Sequence, residues 1–447
     1  MSFTGVTVMP EYIQNEGIAG VLDRLSAAGV TAVSTSPYVM APADEKTGSR
    51  EPPIDAGAGS VRLLDRPLWG KRELFVRTAP SFTPQVSFYK GLRYQPPTTN
   101  ELTTQHGHII HDFIRAAQTR KIKVYFQVQA AIPPGYRVQF GGPQPHDAPR
   151  LPDGRIPPKR LANNGSLASP HILAYLNAMT RDLLRAYPEI DGMRYDWPEY
   201  PPYFLDDVFL DFSDHARAAA TRLGFNFEAL KKNASTLYTR MHGGLTDDLL
   251  KNTPDILRQH PWIAEWLRFK ATLVEELFTV LRQTVGKKQL LANAFPPPFS
   301  MASGMDFKRV AAHVDGICMK LYTMHWPVML RFYGDALKQA NPKASEAAIV
   351  QALRLWMELT DTNNSTKLSD WVYPEPDAPH PAGENAQTKK VLYAQNQAGP
   401  RPVYPVVHGY GPLDDFRRRL AIARKASKHG IWINRYAYLS NPKLSSL

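Results

Sequence analysis

The chain has 447 residues, of which 43% are hydrophobic and 21% are charged, and its formal net charge at pH 7 is +12. This apolar content argues against fibrous and disordered classes, and the length exceeds one ordinary domain of about 100–200 residues unless the chain forms an α/β barrel. No run approaches the roughly 18 apolar residues of a spanning helix, so we expect no integral membrane protein and no membrane partner. The positive charge suits nucleic acid, an anionic surface or an acidic substrate.

The N-terminus and the cysteine content indicate the compartment. The first residues contain no basic segment and no small-residue cleavage site, so we expect no signal peptide. The single cysteine, Cys318, excludes an internal disulfide and a cysteine metal cluster. We therefore predict a cytoplasmic protein. Because the sequence has no Walker loop and no nucleic-acid-binding motif, we expect no nucleic-acid partner, while homo-oligomerisation is left open.

Short apolar runs alternate with helical patterns, which is typical of a parallel sheet wrapped by helices. The first unit is the clearest, with a strand over 4–9 and an amphipathic helix over 18–25. Further strands are predicted over 30–34, 122–128, 190–196, 289–295, 314–322, 402–408 and 430–436. Eight strands favour a closed (β/α)8 TIM barrel over an open sheet, because the turn after the first strand, Met9-Pro10-Glu11, lacks the glycines of a nucleotide-binding turn.

Long connections distinguish this barrel from a minimal one. Segments 37–105 and 132–168 are rich in proline and glycine, and we predict that these irregular loops cover the face to which the strands deliver their C-terminal ends. Residues 203–286 are almost wholly helical in pattern, which predicts a helical insertion after strand four within a single barrel over 1–447.

The last third of the chain continues the same pattern with a further long connection. We predict a helix near 345–360, followed by a loop rich in proline, asparagine and glutamine that extends to about residue 401.

Barrel enzymes place their catalytic groups at the C-terminal ends of the strands. The polar and aromatic residues predicted there are Glu11, Gln127, Gln129, Asp196, Glu199, Asn293, Lys320, Tyr322, His325, His408, Asn434 and Arg435. Amides and carboxylates can form hydrogen bonds with sugar hydroxyls, and aromatic rings can stack on pyranose faces. We therefore predict a carbohydrate substrate, with Glu11, Arg194, Asn293, Lys320, Tyr322, His325 and His408 as substrate-binding residues.

The segment 150–203 resembles a pattern found in glycoside-hydrolase-like TIM barrels. The resemblance is carried by Asp153-Gly154-Arg155, Asn163-Asn164, Ser169-Pro170 and the run from Asp191 to Tyr200. Within that run, Gly192-Met-Arg194-Tyr-Asp196 is similar to strand four of the alpha-amylase family, and Tyr195-Asp196-Trp197 resembles a strand end of alpha-galactosidases. The resemblance implies a glycoside hydrolase in which Asp196 is the nucleophile and Arg194 keeps it ionised. A cation two residues away on a strand is physically suited to that role.

The sequence departs from those families at the second catalytic carboxylate. Where the families carry Glu or Asp after strands five and six, this chain has Asn293 and Lys320. The second carboxylate must then be Glu199, Glu11 or Asp306, and Glu199 is the first choice because it follows the same strand as Asp196. Retaining and inverting chemistry stay open, because they differ in a carboxyl separation of about 5 Å against roughly 6.5–9.5 Å.

Three alternatives accompany this hypothesis. Arg194 and Asp196 could form an ordinary buried ion pair, the barrel could bind carbohydrate without catalysis, or a sugar lyase or isomerase could use Lys320 as a base. His106, His108 and His111 form a compact cluster, but they precede the helix that leads into strand three, where barrel metal sites do not lie. We therefore predict neither a metal nor another cofactor.

Overall fold

The computed structural model describes residues 3–53, 62–137, 141–251 and 260–447. Eight strands of the barrel are β1 Thr4–Thr7, β2 Ala32–Thr35, β6 Lys123–Gln129, β7 Gly192–Asp196, β8 Gln289–Ala294, β9 Gly316–Leu321, β10 Val403–His408 and β11 Ile431–Asn434. They are parallel and pair in this order, and β11 pairs with β1 to close the barrel. The predicted TIM barrel is confirmed.

The strand register brings the polar strand ends to one rim of the barrel. Gln129 at the end of β6 lies opposite Asp196 at the end of β7, and His408 at the end of β10 lies opposite Asn434 at the end of β11. Because all eight strands are parallel, the connections that follow them leave from this rim. We call this rim, with the loops that follow its strands, the mouth.

Residues 37–105, which we predicted to be irregular, contain a small antiparallel sheet. Its strands are β3 Tyr38–Ala43, β4 Ser49–Glu51 and β5 Leu74–Pro80, arranged in the order β3, β5, β4. The prediction of a loop was therefore wrong for these stretches. Prolines and a weak apolar alternation hide the strands in the sequence, and burial of Val39 and Ala79 against Leu102 stabilises them.

Helices surround the barrel and fill the long connections. They are Pro10–Glu16, Ile18–Ala27, Glu101–His106, Ile109–Thr119, Pro170–Ala186, Leu205–Val208, Asp214–Arg222, Phe227–Met241, Asp247–Lys251, Trp262–Val285, Phe299–Ser303, Phe307–Ala311, His325–Ala340, Glu346–Trp356, Glu384–Ala398, Leu413–Ala426 and Asn441–Leu444. The helices between β7 and β8 confirm the predicted insertion after strand four. Among the described residues, no helix combines the length and the apolar character needed to cross a bilayer.

The helix Glu384–Ala398 corrects the loop predicted before β10. Its sequence is rich in asparagine, glutamine and lysine, which hides its apolar side. Ala386, Val391, Ala394 and Ala398 are nevertheless buried, and they give the helix a narrow face of small residues that packs on the barrel.

The hydrophobic core has two layers. The larger layer lies between the strands and the helices, and a smaller cluster fills the barrel interior with Ala32, Tyr125, Leu291, Cys318, Val406 and Trp432. Gly5 makes room for the Trp432 ring, because a Cβ at this position would lie 2.4 Å from ring atoms. The Trp432 indole thus lies in the barrel interior beneath the mouth.

Candidate active site

Asp196 and Lys320 form an ion pair at the mouth. Asp196 is the last residue of β7 and is 8% exposed, and Lys320 lies in β9 with a side chain that is 3% exposed. The Lys320 Nζ is 2.6 Å from Oδ1 of Asp196, which also accepts the Trp197 N–H at 3.0 Å. Among the described residues, nothing donates a hydrogen bond to the other oxygen, Oδ2. This carboxylate is therefore charge-paired on one side and open on the other.

Arg194 occupies a different place from the one expected beside Asp196. Its Nε donates to Oδ1 of Asn293 at 2.6 Å, its Nη1 lies 3.3 Å from the Ser34 hydroxyl, and its guanidinium lies 4.5 Å from the centre of the Trp432 ring. The two side chains share the interior side of β7, but Arg194 bends into the layer below the mouth. The cation next to Asp196 is Lys320, so the predicted pairing of Arg194 with Asp196 was wrong.

Glu199 is a buried carboxyl held by two donors. Its Oε1 accepts the Phe295 N–H at 2.9 Å, and its Oε2 accepts the Ser303 hydroxyl. Burial raises the pKa of Glu199 to about 7, Lys320 and the two donors oppose this rise, and the negative charge of Asp196 adds to it. A carboxyl with a pKa near neutrality is suited to general acid–base catalysis. Asp196, Glu199 and Lys320 therefore form one electrostatic unit.

Trp197 follows Asp196 in a left-handed backbone conformation. Its φ is 57°, which a bulky residue adopts at a cost. The conformation places the Lys320 ammonium 4.8 Å from the centre of the Trp197 ring, and the indole stacks on Tyr203 with centres 5.9 Å apart. A flat aromatic surface thus adjoins the Asp196 carboxylate.

Aromatic side chains continue from this surface around the mouth. The Tyr203 hydroxyl lies 2.9 Å from Nδ1 of His325, and Tyr322 makes ring contacts with both His325 and His408 at 5.5 and 5.2 Å. The His408 ring lies 5.3 Å from that of Tyr438. We call the set Trp197, Tyr203, Tyr322, His325, His408 and Tyr438 the aromatic arc. The structure thus brings together three predicted substrate-binding residues.

Glu11, the remaining predicted substrate-binding residue, lies in a separate buried network. Its carboxylate accepts from the Tyr38 hydroxyl and from Nη1 of Arg137, both at 2.9 Å. Arg137 also pairs with Glu51, and Arg435 pairs with the second oxygen of Glu51. We call Glu11, Tyr38, Glu51, Arg137 and Arg435 the arginine cluster. Burial raises the pKa of Glu51, but the guanidinium groups of Arg137 and Arg435 outweigh it and bring that pKa below its usual value.

Two other candidates, Asp306 and His111, have structural roles. The Asp306 carboxylate caps the helix Phe307–Ala311 by accepting the N–H groups of Lys308 and Arg309, as expected for a residue at a helix N-terminus. His111 stacks on Tyr187 with ring centres 4.4 Å apart, away from the strand ends. Glu11 belongs to the arginine cluster and Asp306 caps a helix, so Glu199 remains as the candidate for a second carboxyl group beside Asp196.

Sequence reasoning missed several residues of the mouth. Ser303 lies three residues before the candidate Asp306 but belongs to no motif, and Tyr38, Glu51 and Arg137 lie in connections without a motif. The signals available for the arginine cluster were the positions of Glu11 and Arg435 at the ends of the first and last strands.

Comparisons with known proteins support the fold. No family model matches the chain, and no curated protein matches it. Among solved structures, the PgaB (BpsB) glycoside hydrolase domain from Bordetella bronchiseptica is similar, with 13% identity, a TM-score of 0.52 and coverage of 99% of this chain and 96% of that chain. A beta-galactosidase from the psychrophilic Marinomonas ef1 is similar at 11% identity and a TM-score of 0.52 over 97% of this chain.

The coverage of that second structure is partial, since the match spans 54% of the galactosidase chain. At such identities the likeness concerns the fold. The chain has a glycoside-hydrolase-like TIM-barrel fold, and its structural neighbours include glycoside hydrolases.

Proposed function

We propose that the protein is a glycoside hydrolase, with Asp196 as nucleophile or charge stabiliser and Glu199 as general acid and base. The observation that carries this proposal is the pairing of an open, charged carboxylate with a buried carboxyl whose pKa is raised to about 7. Glycosidases divide their chemistry between two such groups, because one must be negatively charged while the other donates a proton.

The geometry suggests a role for each group. Glu199 transfers its proton to the glycosidic oxygen as the bond from that oxygen to the anomeric carbon breaks, and the bonding electrons leave with the oxygen. Oδ2 of Asp196 either bonds to the anomeric carbon or balances the positive charge that develops there. A water molecule then attacks the anomeric carbon and supplies the hydroxyl of the product sugar, while one of its protons passes to Glu199. Where Oδ2 of Asp196 has bonded to that carbon, this bond breaks and its electrons return to the carboxylate. Lys320 holds the carboxylate of Asp196 in place through Oδ1.

The aromatic arc supports carbohydrate recognition beside these carboxyl groups. Sugar rings stack their apolar faces on aromatic side chains, and the stacked pair of Trp197 and Tyr203 adjoins Asp196. We expect Tyr322, His325 and His408 to contact sugar hydroxyls farther along the arc.

A non-catalytic carbohydrate-binding barrel is the second candidate. It is favoured by the complete burial of Glu199, whose two oxygens already accept hydrogen bonds from the protein. A lyase or isomerase with Lys320 as base is less well supported, because the Lys320 ammonium is engaged by Asp196 at 2.6 Å.

The experiment is a cleavage assay with nitrophenyl glycosides and natural oligosaccharides, with the anomer of the first product followed by NMR. Cleavage with one product anomer that is lost in Asp196→Asn supports hydrolysis and assigns retention or inversion. Binding of oligosaccharides without cleavage would favour the binding barrel instead.

A further inference from the structure

The arginine cluster lies at the same mouth as Asp196 but serves no step of the proposed chemistry. Its members come from the helix Pro10–Glu16 after β1, from the antiparallel sheet, from the loop after β6 and from the residue after β11. We propose that this cluster binds the carboxylate of an acidic sugar residue, so that the substrate is an oligosaccharide containing uronic acid. This inference rests on the proposed glycoside hydrolase function.

Two arginines of the cluster keep unused donors although they are buried. Arg137 is 5% exposed, and its Nε has no hydrogen-bond partner among the described residues. The Nε of Arg435 is likewise buried with no partner in the described part of the chain, where the only hydrogen bond of this side chain runs from Nη2 to Glu51. A buried donor without an acceptor is energetically unfavourable, and more so when it is charged. These donors therefore point to an acceptor supplied by a ligand.

A further polar atom without a partner lies on the strand that leads to Arg137. Oε1 of Gln129 is buried and makes no hydrogen bond to a described residue. Gln129 lies opposite Asp196 in the barrel register, and its N–H donates to the Gly135 carbonyl at 2.7 Å. The chain between Gly135 and Arg137 is therefore tied to the strand end beside the catalytic carboxylate.

The last member of the aromatic arc lies next to the arginine cluster. The Arg435 guanidinium lies 5.7 Å from the centre of the Tyr438 ring, which is the last member of the arc. Arg62 lies over the same ring at 5.4 Å, and its Nη1 is 3.5 Å from Nε2 of His408. Sugar residues stacked along the arc would thus end near guanidinium groups.

The unused donors of the cluster favour a carboxylate ligand over a neutral one. Arg137 and Arg435 each keep a buried Nε–H that no described residue accepts, and the Arg62 guanidinium lies over the same Tyr438 ring as that of Arg435. A carboxylate matches the planar fork of a guanidinium better than a single hydroxyl does.

The test measures binding to the full chain by calorimetry. The probes are oligomers of uronic acids, the same oligomers reduced to neutral sugars, and sulfated neutral oligomers of equal length. We expect the wild type to bind one uronic-acid oligomer at least 10-fold more tightly than its reduced form and the sulfated form. Arg435→Gln should lose this preference while it keeps the affinity for the neutral form, and Arg435→Lys should retain part of it.

The control is Arg222→Gln, which removes the same charge from an outer helix where Arg222 pairs with Glu276. It should keep the full preference. Equal binding of acidic and reduced oligomers by the wild type, or an unchanged preference in folded Arg435→Gln, would overturn the proposal, as would tightest binding of the sulfated form.

The outcomes also separate this proposal from the proposed function. Cleavage of neutral oligomers without an acidic preference would refute the carboxylate site and leave the hydrolase in place. Preferential binding of the acidic oligomer with no cleavage of any probe would support the site and refute the hydrolase.

Discussion

The two charged assemblies at the mouth differ in how completely their carboxylates are occupied. In the arginine cluster, both oxygens of Glu11 and both oxygens of Glu51 accept from arginine or tyrosine side chains. In the other assembly, Lys320 occupies one oxygen of Asp196, and the second oxygen is open. A fully occupied carboxylate cannot attack a substrate without losing partners, whereas an open one can. The open oxygen supports the nucleophilic role proposed for Asp196, and the occupied carboxylates of Glu11 and Glu51 are suited to holding the arginines in place.

The largest expected effect comes from Asp196→Asn, which removes the negative charge and keeps the size of the side chain. We expect turnover to fall by a factor on the order of 10³ or more, because an oxocarbenium-like transition state loses its counter-charge. Initial rates and melting temperatures of the purified variant measure this. The matched control is Asp306→Asn, where asparagine also caps a helix, so both quantities should stay close to the wild type. Full activity in Asp196→Asn would remove the basis for distinguishing the two assemblies.

Arg137→Gln tests whether the arginine cluster is structural support. The change leaves the buried carboxylates of Glu11 and Glu51 without their shared cation. We expect the free energy of unfolding to fall by about 3–5 kcal/mol. Chemical denaturation measures it, and the exposed pair of Arg155 with Asp153 supplies the control, since Arg155→Gln should cost less than about 1 kcal/mol. Equal losses in the two variants would mean that the cluster contributes no more than a surface pair.

The raised pKa of Glu199 predicts a pH-dependent stability. The folded protein keeps this proton up to about pH 7, whereas the unfolded chain releases it near the usual value of 4.5. The folded state therefore binds more protons between these values, and stability should fall as the pH rises from about 4.5 to beyond 7. The shift corresponds to about 3 kcal/mol.

Glu199→Gln should remove this component. Denaturation at pH 5 and pH 8 measures it, with the exposed Glu45→Gln as a control that should follow the wild type. A pH dependence of stability that is the same in Glu199→Gln and the wild type would contradict the assignment of a raised pKa to this carboxyl.

The smallest effect is expected for Arg194→Lys. The variant loses the hydrogen bond from Nε to Asn293 but keeps a positive charge in the layer below the mouth. We expect a stability loss of about 1–2 kcal/mol and a fall in turnover of less than about 10-fold, because Lys320 and not Arg194 pairs with Asp196. Denaturation and initial rates check this. A fall in turnover as large as that of Asp196→Asn would restore the role that the sequence motif implied for Arg194.

The barrel could be predicted because its strands are short, apolar and separated by amphipathic helices. The same periodicity placed Asp196, Lys320 and His408 at strand ends, and the structure brings all three to the mouth. The partner of Asp196 could not be predicted from the motif, because the direction in which a long side chain bends depends on the interior. Arg194 contacts Trp432, Asn293 and Ser34 in the layer below the mouth. None of these residues is near Arg194 in sequence.

Three members of the arginine cluster, Tyr38, Glu51 and Arg137, could not be predicted for a related reason, whereas Glu11 and Arg435 were placed at strand ends by the sequence. Glu51 and Arg137 lie 86 positions apart and in connections where no periodic pattern applies. Their ion pair arises from the antiparallel sheet, whose short strands the prolines hide. Loops that fold through long-range contacts leave little local signal.

The antiparallel sheet has a consequence for how this barrel can diversify. It contributes Tyr38 and Glu51 to the mouth, while Asp196, Glu199 and Lys320 come from β7, the loop after it and β9. On the proposed assignments, part of the substrate-binding site and the groups for bond cleavage come from separate stretches of the sequence. Recombination or insertion within residues 37–80 can change what the barrel accepts without disturbing the carboxyl groups across the mouth, which makes this segment the natural place to exchange when a new specificity is sought.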